Sequence, residues 1–199
     1  MIKIGIFAKP PVAGTVKTRL IPDIGADKAT AVYRYCLQHT LDEVRHSGLD
    51  YELFLTEESN DPIFQHETCR LQKGADLGER MLRSLGQMLQ DGADGAIIIG
   101  SDCLDLDSLH LQAASRALSD HEMVLLPAFD GGYALIGCTR VTHSQFKGVK
   151  WSGAEVYRKT VANAKKLGYR VCSLETVRDI DTLQDLEHYP NLVALIASS

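Results

Sequence analysis

At 199 residues, with 45% apolar and 24% charged side chains, the chain is long enough to close a sizeable core without disulfides or metals. A formal net charge of -5 disfavours whole-surface attraction to nucleic acid or to an anionic membrane, so any anion site must be local. No run approaches the ~20 apolar residues that span a bilayer, residues 2–7 are too short for a secretion signal, and the five cysteines contain no CxxC, which points to free thiols and a cytoplasmic protein.

In chain order, residues 2–7 read as a buried strand and residues 9–24, punctuated by Pro and Gly, as a loop. Residues 29–44 carry apolar side chains at helical spacing, with Gly48 as the stop. Residues 51–56 are a second strand and 79–89 a helix. The continuous apolar run 96–100 suits the centre of a sheet covered on both faces. Residues 109–118 form a helix capped by Asp107 or Ser108. Strands follow at 123–127 and 133–138, the latter entered through Asp130-Gly131-Gly132. A helix at 154–167, a strand at 169–174 and a short helix at 182–189, stopped by Pro190, complete the chain. This alternation predicts one domain over residues 1–199, an α/β fold with three layers (α/β/α) and a mostly parallel central sheet.

In such sheets ligands bind beyond the carboxyl ends of the strands, which singles out four loops. The first, residues 7–20, gathers Lys9, Lys17 and Arg19 around Gly14, where the backbone can approach a ligand and its amides can form an anion nest. Lys offers phosphate a point charge and Arg a fork. The GTVKT stretch is not a P-loop, because the glycine spacing is wrong and Lys17 does not follow a Gly. The expectation is phosphate binding.

The second loop, residues 100–107, places Asp102 directly after the central strand, where a carboxylate can bridge a divalent cation to a diphosphate. Asp107 reads as a helix cap. In the third loop, Gly131 and Gly132 are expected to open space for a substrate beside Asp130, which would bind or deprotonate an acceptor hydroxyl. In the fourth, Thr182 and Asp185 form a capping box, which leaves Asp181 as a second carboxylate for the same metal. The seven histidines show no metal-ligand spacing. No GxSxG elbow and no GxGxxG exist, which argues against a serine hydrolase and a Rossmann dinucleotide enzyme.

Together the motifs F-x-K-x-P-x-x-G-x-x-K-T-R-L, G-S-D-C, P-A-x-D-G-G-Y-x-L-I-G and D-I-D-T-x-x-D-L resemble the DUF2064 proteins, bacterial proteins classed as glycosyltransferases and often called selenodomain-associated transferase 1. That family is related to phospholactate guanylyltransferase and sits in the nucleotide-diphospho-sugar transferase superfamily. The resemblance runs from Ile4 to about Leu186. It implies a GT-A-like fold with Phe7, Lys9, Gly14, Lys17 and Arg19 on the nucleotide and its phosphates. It places Gln72, Gly74, Leu77, Gly78, Glu79 and Arg80 near base and phosphates, Asp102 and Asp181 on Mg²⁺ or Mn²⁺, and Lys17, Arg19 and Asp130 in catalysis. Asp130, Gly131, Gly132, Trp151 and Ser152 fall on the acceptor side. Leu104, Ala134 and Gly153 depart from the family pattern, the first in loop rigidity and the other two near the acceptor.

The expected activity is glycosyl transfer from a nucleotide sugar to a small-molecule acceptor. The alternative is nucleotidyl transfer from an NTP to a phosphorylated small acid or alcohol, and the third reading is a non-catalytic nucleotide-binding module. Nucleic acid and membrane are not expected partners, and a homodimer is compatible with each reading.

Overall fold

A computed structural model of the chain describes residues 1–151 and 153–198. Its elements are β1 (Ile2–Ala8), α1 (Ile21–Ile24), α2 (Ala26–Ser47), β2 (Asp50–Leu55), β3 (Cys69–Leu71), α3 (Leu77–Gln90), β4 (Gly95–Ile99), α4 (Ser108–Ala117), β5 (Met123–Pro127), β6 (Tyr133–Cys138), α5 (Val156–Lys166), β7 (Val171–Ser173), α6 (Leu183–Leu186) and α7 (Pro190–Ser198).

The strands form one sheet in the order β3-β2-β1-β4-β6-β5-β7. It is parallel except at β6, which runs antiparallel between β4 and β5. Ile97 and Ile99 face one side with Ile4 and Ile6, against α2 and α4. Ile98 faces the other side with Ile136, against α3 and α5. Both faces of β4 are thus dry, each large aliphatic side chain contributing about 1.5–3 kcal/mol of burial. This is the three-layer α/β/α arrangement. On the outer side of α2, Ala29, Val32 and Cys36 meet Leu20, Ile180, Leu186 and Leu192, so α2 joins the sheet to the C-terminal helices.

Some elements differ from the sequence expectation. Strand β3 has no counterpart among the expected elements: it has three residues with two of them exposed, too short and too wet for a periodicity signal. The expected loop 9–24 ends in α1, with Pro22 in its first turn. Pro190 does not merely stop a helix but begins α7, where its missing N–H has no partner to lose. Helix α3 starts at Leu77 because the Asp76 carboxylate accepts from the Glu79 amide at 2.8 Å.

Candidate functional site

The first loop leaves β1 at Ala8 and is pinned by two apolar anchors, Val16 and Leu20, 2% and 0% exposed. Between them Lys17 has φ +46°, a left-handed backbone that costs a non-glycine residue about 1–2 kcal/mol. The turn folds on itself through Thr15 N–H to Val12 O (3.1 Å) and Leu20 N–H to Lys17 O (2.9 Å). The start of the loop is clamped by Tyr33 on α2. Its hydroxyl accepts from the Lys9 amide at 2.8 Å, donates to the Lys9 carbonyl at 3.1 Å and lies 3.1 Å from Ser101 Oγ.

The anchors turn Lys17 inward. Its Nζ lies 3.2 Å from Asp102 Oδ2 and 3.8 Å from Asp181 Oδ1, and it donates to the Ile180 carbonyl. Burial alone would lower the Lys17 pKa, but Asp102, then Cys36 and Asp181, outweigh it and hold the ammonium above its usual value. Arg19 Nη1 donates to Asp181 Oδ2 at 2.9 Å. Cations from the first loop and carboxylates from the second and fourth therefore share one rim.

The second and fourth loops are zipped together by the backbone. Ile180 N–H reaches Asp102 O at 3.2 Å, and Arg178 N–H reaches Asp105 Oδ2 at 2.9 Å. Tyr189 adds a hydroxyl bond to Asp105 Oδ1 at 2.8 Å. Asp185 accepts from the amides of Asp181 and Thr182, which leaves the Asp181 carboxylate free for the cations. Asp107 caps α4 by accepting from the His110 amide at 2.9 Å.

These groups open onto a cleft of about 550 Å³ at the carboxyl ends of β1 and β4. Of the residues singled out from sequence, Phe7, Lys9, Lys17, Arg19, Gln72, Leu77, Arg80, Asp102 and Asp181 line it, and so does Ala134, which was expected near the acceptor. Gln72 is held by its amide nitrogen, which donates to Phe54 O at 2.7 Å. Arg80 Nε reaches Gly74 O at 3.4 Å. Gly14 (φ +87°), expected on the phosphates, is not among the lining residues and has open space where a β-carbon would stand.

Other expected site residues are employed differently. A β-carbon on Gly78 would lie 2.3 Å from Trp151 Cζ2, so Gly78 makes room for Trp151, which also packs on Phe146. One on Gly74 would meet the Arg80 backbone nitrogen at 2.7 Å, so Gly74 lets its turn close on α3. The expectation that Gly131 and Gly132 open space beside Asp130 meets a filled position: a β-carbon on Gly131 would be 2.1 Å from Ala154 O. Asp130 Oδ1 accepts from the Gly132 amide at 2.7 Å, an Asx turn. Asp130, Gly131, Gly132 and Trp151 are not among the cleft's lining residues. Ser152 lies outside the described residues.

Two participants were not singled out from sequence. Tyr33 reads as one more member of an apolar helical stripe, and only its hydroxyl, beyond the carboxyl ends of β1 and β4, distinguishes it. Asp179 is the other. Burial, and then the charges of Asp130 and Asp102, push its carboxyl up to about 6. The sequence signal is the alternation Asp179-Ile180-Asp181: Ile180 is 0% exposed, Asp181 lines the cleft and Asp179 lies behind it, outside the lining.

Among the described residues no group of three or more His, Cys, Asp or Glu side chains is gathered to hold a metal by protein ligands alone. The donor set present is two carboxylates at one rim, beside a third whose ionisation is opposed first by burial and then by its acidic neighbours. That set fits a hard divalent ion completed by phosphate oxygens and water. No helix among the described residues is long and apolar enough to cross a membrane.

A family model described as "Uncharacterized protein conserved in bacteria (DUF2064)" matches residues 40–153. Among solved structures, a Desulfovibrio desulfuricans G20 protein with the provisional name nucleotide-diphospho-sugar transferase is 30% identical, with 99% of this chain and 97% of that one covered and a TM-score of 0.89. CMP:2-keto-3-deoxy-manno-octonic acid synthetase, solved with CTP, is 11% identical over 97% and 98% of the chains, with a TM-score of 0.58. Rv0371c from Mycobacterium tuberculosis H37Rv, solved with manganese, is 18% identical over 100% and 99%, with a TM-score of 0.55. The last two are likenesses of fold alone. No curated protein matches the sequence.

Proposed function

Because the chain belongs to the DUF2064 family, we propose that it is a metal-dependent transferase acting on an activated nucleotide. The reading favoured by the cleft is nucleotidyl transfer from an NTP to a small phosphorylated acid or alcohol, with release of pyrophosphate. One observation carries the choice. Lys9, Lys17, Arg19 and Arg80 line the cleft against only two carboxylates, Asp102 and Asp181. Among the described residues Lys9 and Arg80 have no carboxylate partner. A triphosphate carries roughly twice the charge of a sugar diphosphate, and this surplus of cations matches the larger charge.

In this reading the backbone at Gly14 lets the phosphates approach, and Lys17 and Arg19 stabilise charge on the transferred phosphoryl group and the departing pyrophosphate. Tyr33 holds the loop in register for that contact. In the same reading Gln72, which also lines the cleft, meets the nucleoside, and Arg80 adds a further cation for the phosphates. Asp102 and Asp181 would hold Mg²⁺ or Mn²⁺, which when bound neutralises phosphate charge. Asp130 remains the candidate to orient the acceptor through its second carboxylate oxygen.

Glycosyl transfer is the second reading, favoured by the name of the Desulfovibrio desulfuricans G20 protein. Incubation with each NTP, Mg²⁺ and a panel of phosphorylated acids and alcohols separates the two. Pyrophosphate release is expected, with Lys17→Ala lowering it on the order of 10²–10³-fold. Release of a nucleoside diphosphate from a nucleotide sugar, without pyrophosphate from any NTP, would give the site to glycosyl transfer.

A further inference from the structure

We infer that the Lys17 ammonium occupies the divalent-cation position in the ligand-free protein, so that the site takes its metal as a metal–nucleotide complex and not as the free ion. This rests on the metal reading above and extends it.

The argument is a count of oxygens. An ion bridging Asp102 and Asp181 needs at least one oxygen from each carboxylate. Lys17 Nζ lies against Asp102 Oδ2 at 3.2 Å and Asp181 Oδ1 at 3.8 Å. Arg19 Nη1 takes the other Asp181 oxygen, Oδ2, at 2.9 Å. Both oxygens of Asp181 and one of Asp102 are therefore already engaged by cations. The Ile180 carbonyl supplies a third oxygen to the ammonium, a set of ligands like those a hard metal ion accepts.

Lys17 is not a loose surface residue that drifts aside. Its side chain is 3% exposed, and its left-handed backbone is fixed between the buried anchors Val16 and Leu20. A free divalent ion entering here must break the Lys17 and Arg19 pairs and leave two cations facing a third. Phosphate removes that obstacle, because it offers Lys17 and Arg19 new anionic partners as the metal takes the carboxylates. The lysine thereby makes metal and nucleotide arrive together and keeps the acidic rim neutralised between turnovers.

The test uses the full-length protein and free Mn²⁺, with binding read by electron paramagnetic resonance in the absence of nucleotide. Lys17→Met removes the internal cation. Lys17→Gln keeps a donor to Asp102 without charge and guards against a folding defect in the first variant. Both are expected to bind Mn²⁺ on the order of tenfold or more tightly than the wild type, the scale set by removing one unit charge a few ångströms away. Adding Asp102→Asn to either variant should abolish the gain. Equal or weaker Mn²⁺ binding by both folded variants overturns the inference while the transferase reading stands. Absence of Mn²⁺ binding in every protein, with or without added pyrophosphate, overturns both the inference and the metal role beneath it.

Discussion

Trp151 sits directly on Gly78: a β-carbon at that glycine would come within 2.3 Å of the indole Cζ2. Two residues expected to serve different substrates are thus partners of one another, and their contact fixes the start of α3 against the segment before α5. Gly78→Ala is expected to expel the indole and cost about 1–3 kcal/mol, the usual penalty of overpacking. Because Trp151 is the single tryptophan of the chain, its emission reports the change. A red shift and a lower denaturation midpoint are expected, and unchanged emission would show that the contact is not maintained in solution.

Gly14 and Gly131 both have positive φ, +87° and +90°, yet their surroundings differ: the first faces open space and the second the Ala154 carbonyl. Gly131→Ala should therefore cost about 3 kcal/mol or more. Gly14→Ala should cost only about 1–2 kcal/mol, the left-handed backbone penalty, while weakening phosphate binding through the new methyl. Urea denaturation of both variants checks the ranking, and equal losses would contradict it.

Tyr33→Phe removes the hydroxyl that accepts from the Lys9 amide and donates to the Lys9 carbonyl. The expected cost is about 1–2 kcal/mol, since a part-buried amide loses its partner. Hydrogen exchange at Lys9 gives the sharper readout. Its amide should lose protection selectively while those of β1 keep theirs, and a uniform change along β1 would argue against a local clamp.

How much of this could be read from the chain alone differs from one feature to the next. Ile97 to Ile99 announce the central strand because a dry position on both faces leaves no polar residue to break the run. Lys17, Arg19, Asp102 and Asp181 could be picked out because charged residues just beyond strand ends have few structural uses. The antiparallel β6 could not, since alternation of elements does not reveal the direction of a strand entered through a turn. Nor could the duties of Gly78, Gly74 and Gly131, because a glycine that makes room for Trp151, Arg80 or Ala154 has the same sequence signature as one that makes room for a ligand.

The carboxyl of Asp179 is pushed up to about 6 by burial first, then by Asp130 and Asp102. Because the folded pKa is raised, the protonated form is favoured in the fold. Stability from this group is full below pH ~4 and declines as the pH rises through ~6. Asp179→Asn removes the penalty. It should stabilise the metal-free protein at pH 8 by about 1 kcal/mol, once screening by solvent is allowed for, and change little at pH 4. Denaturation at the two pH values checks the sign, and a larger gain at pH 4 would reverse the argument.

The most direct test of the central claim is a thermal-shift panel of NTPs and nucleotide sugars with and without Mg²⁺ or Mn²⁺. A ligand in excess over its Kd adds a few kcal/mol of stability, moving the midpoint by roughly 5 °C or more. At least one nucleotide should produce that shift with metal present, a smaller one without it, and none of the metal-dependent part in Asp102→Asn or Asp181→Asn. A shift of the same size with and without metal, or one that survives both substitutions, would contradict a metal-dependent nucleotide site at this rim.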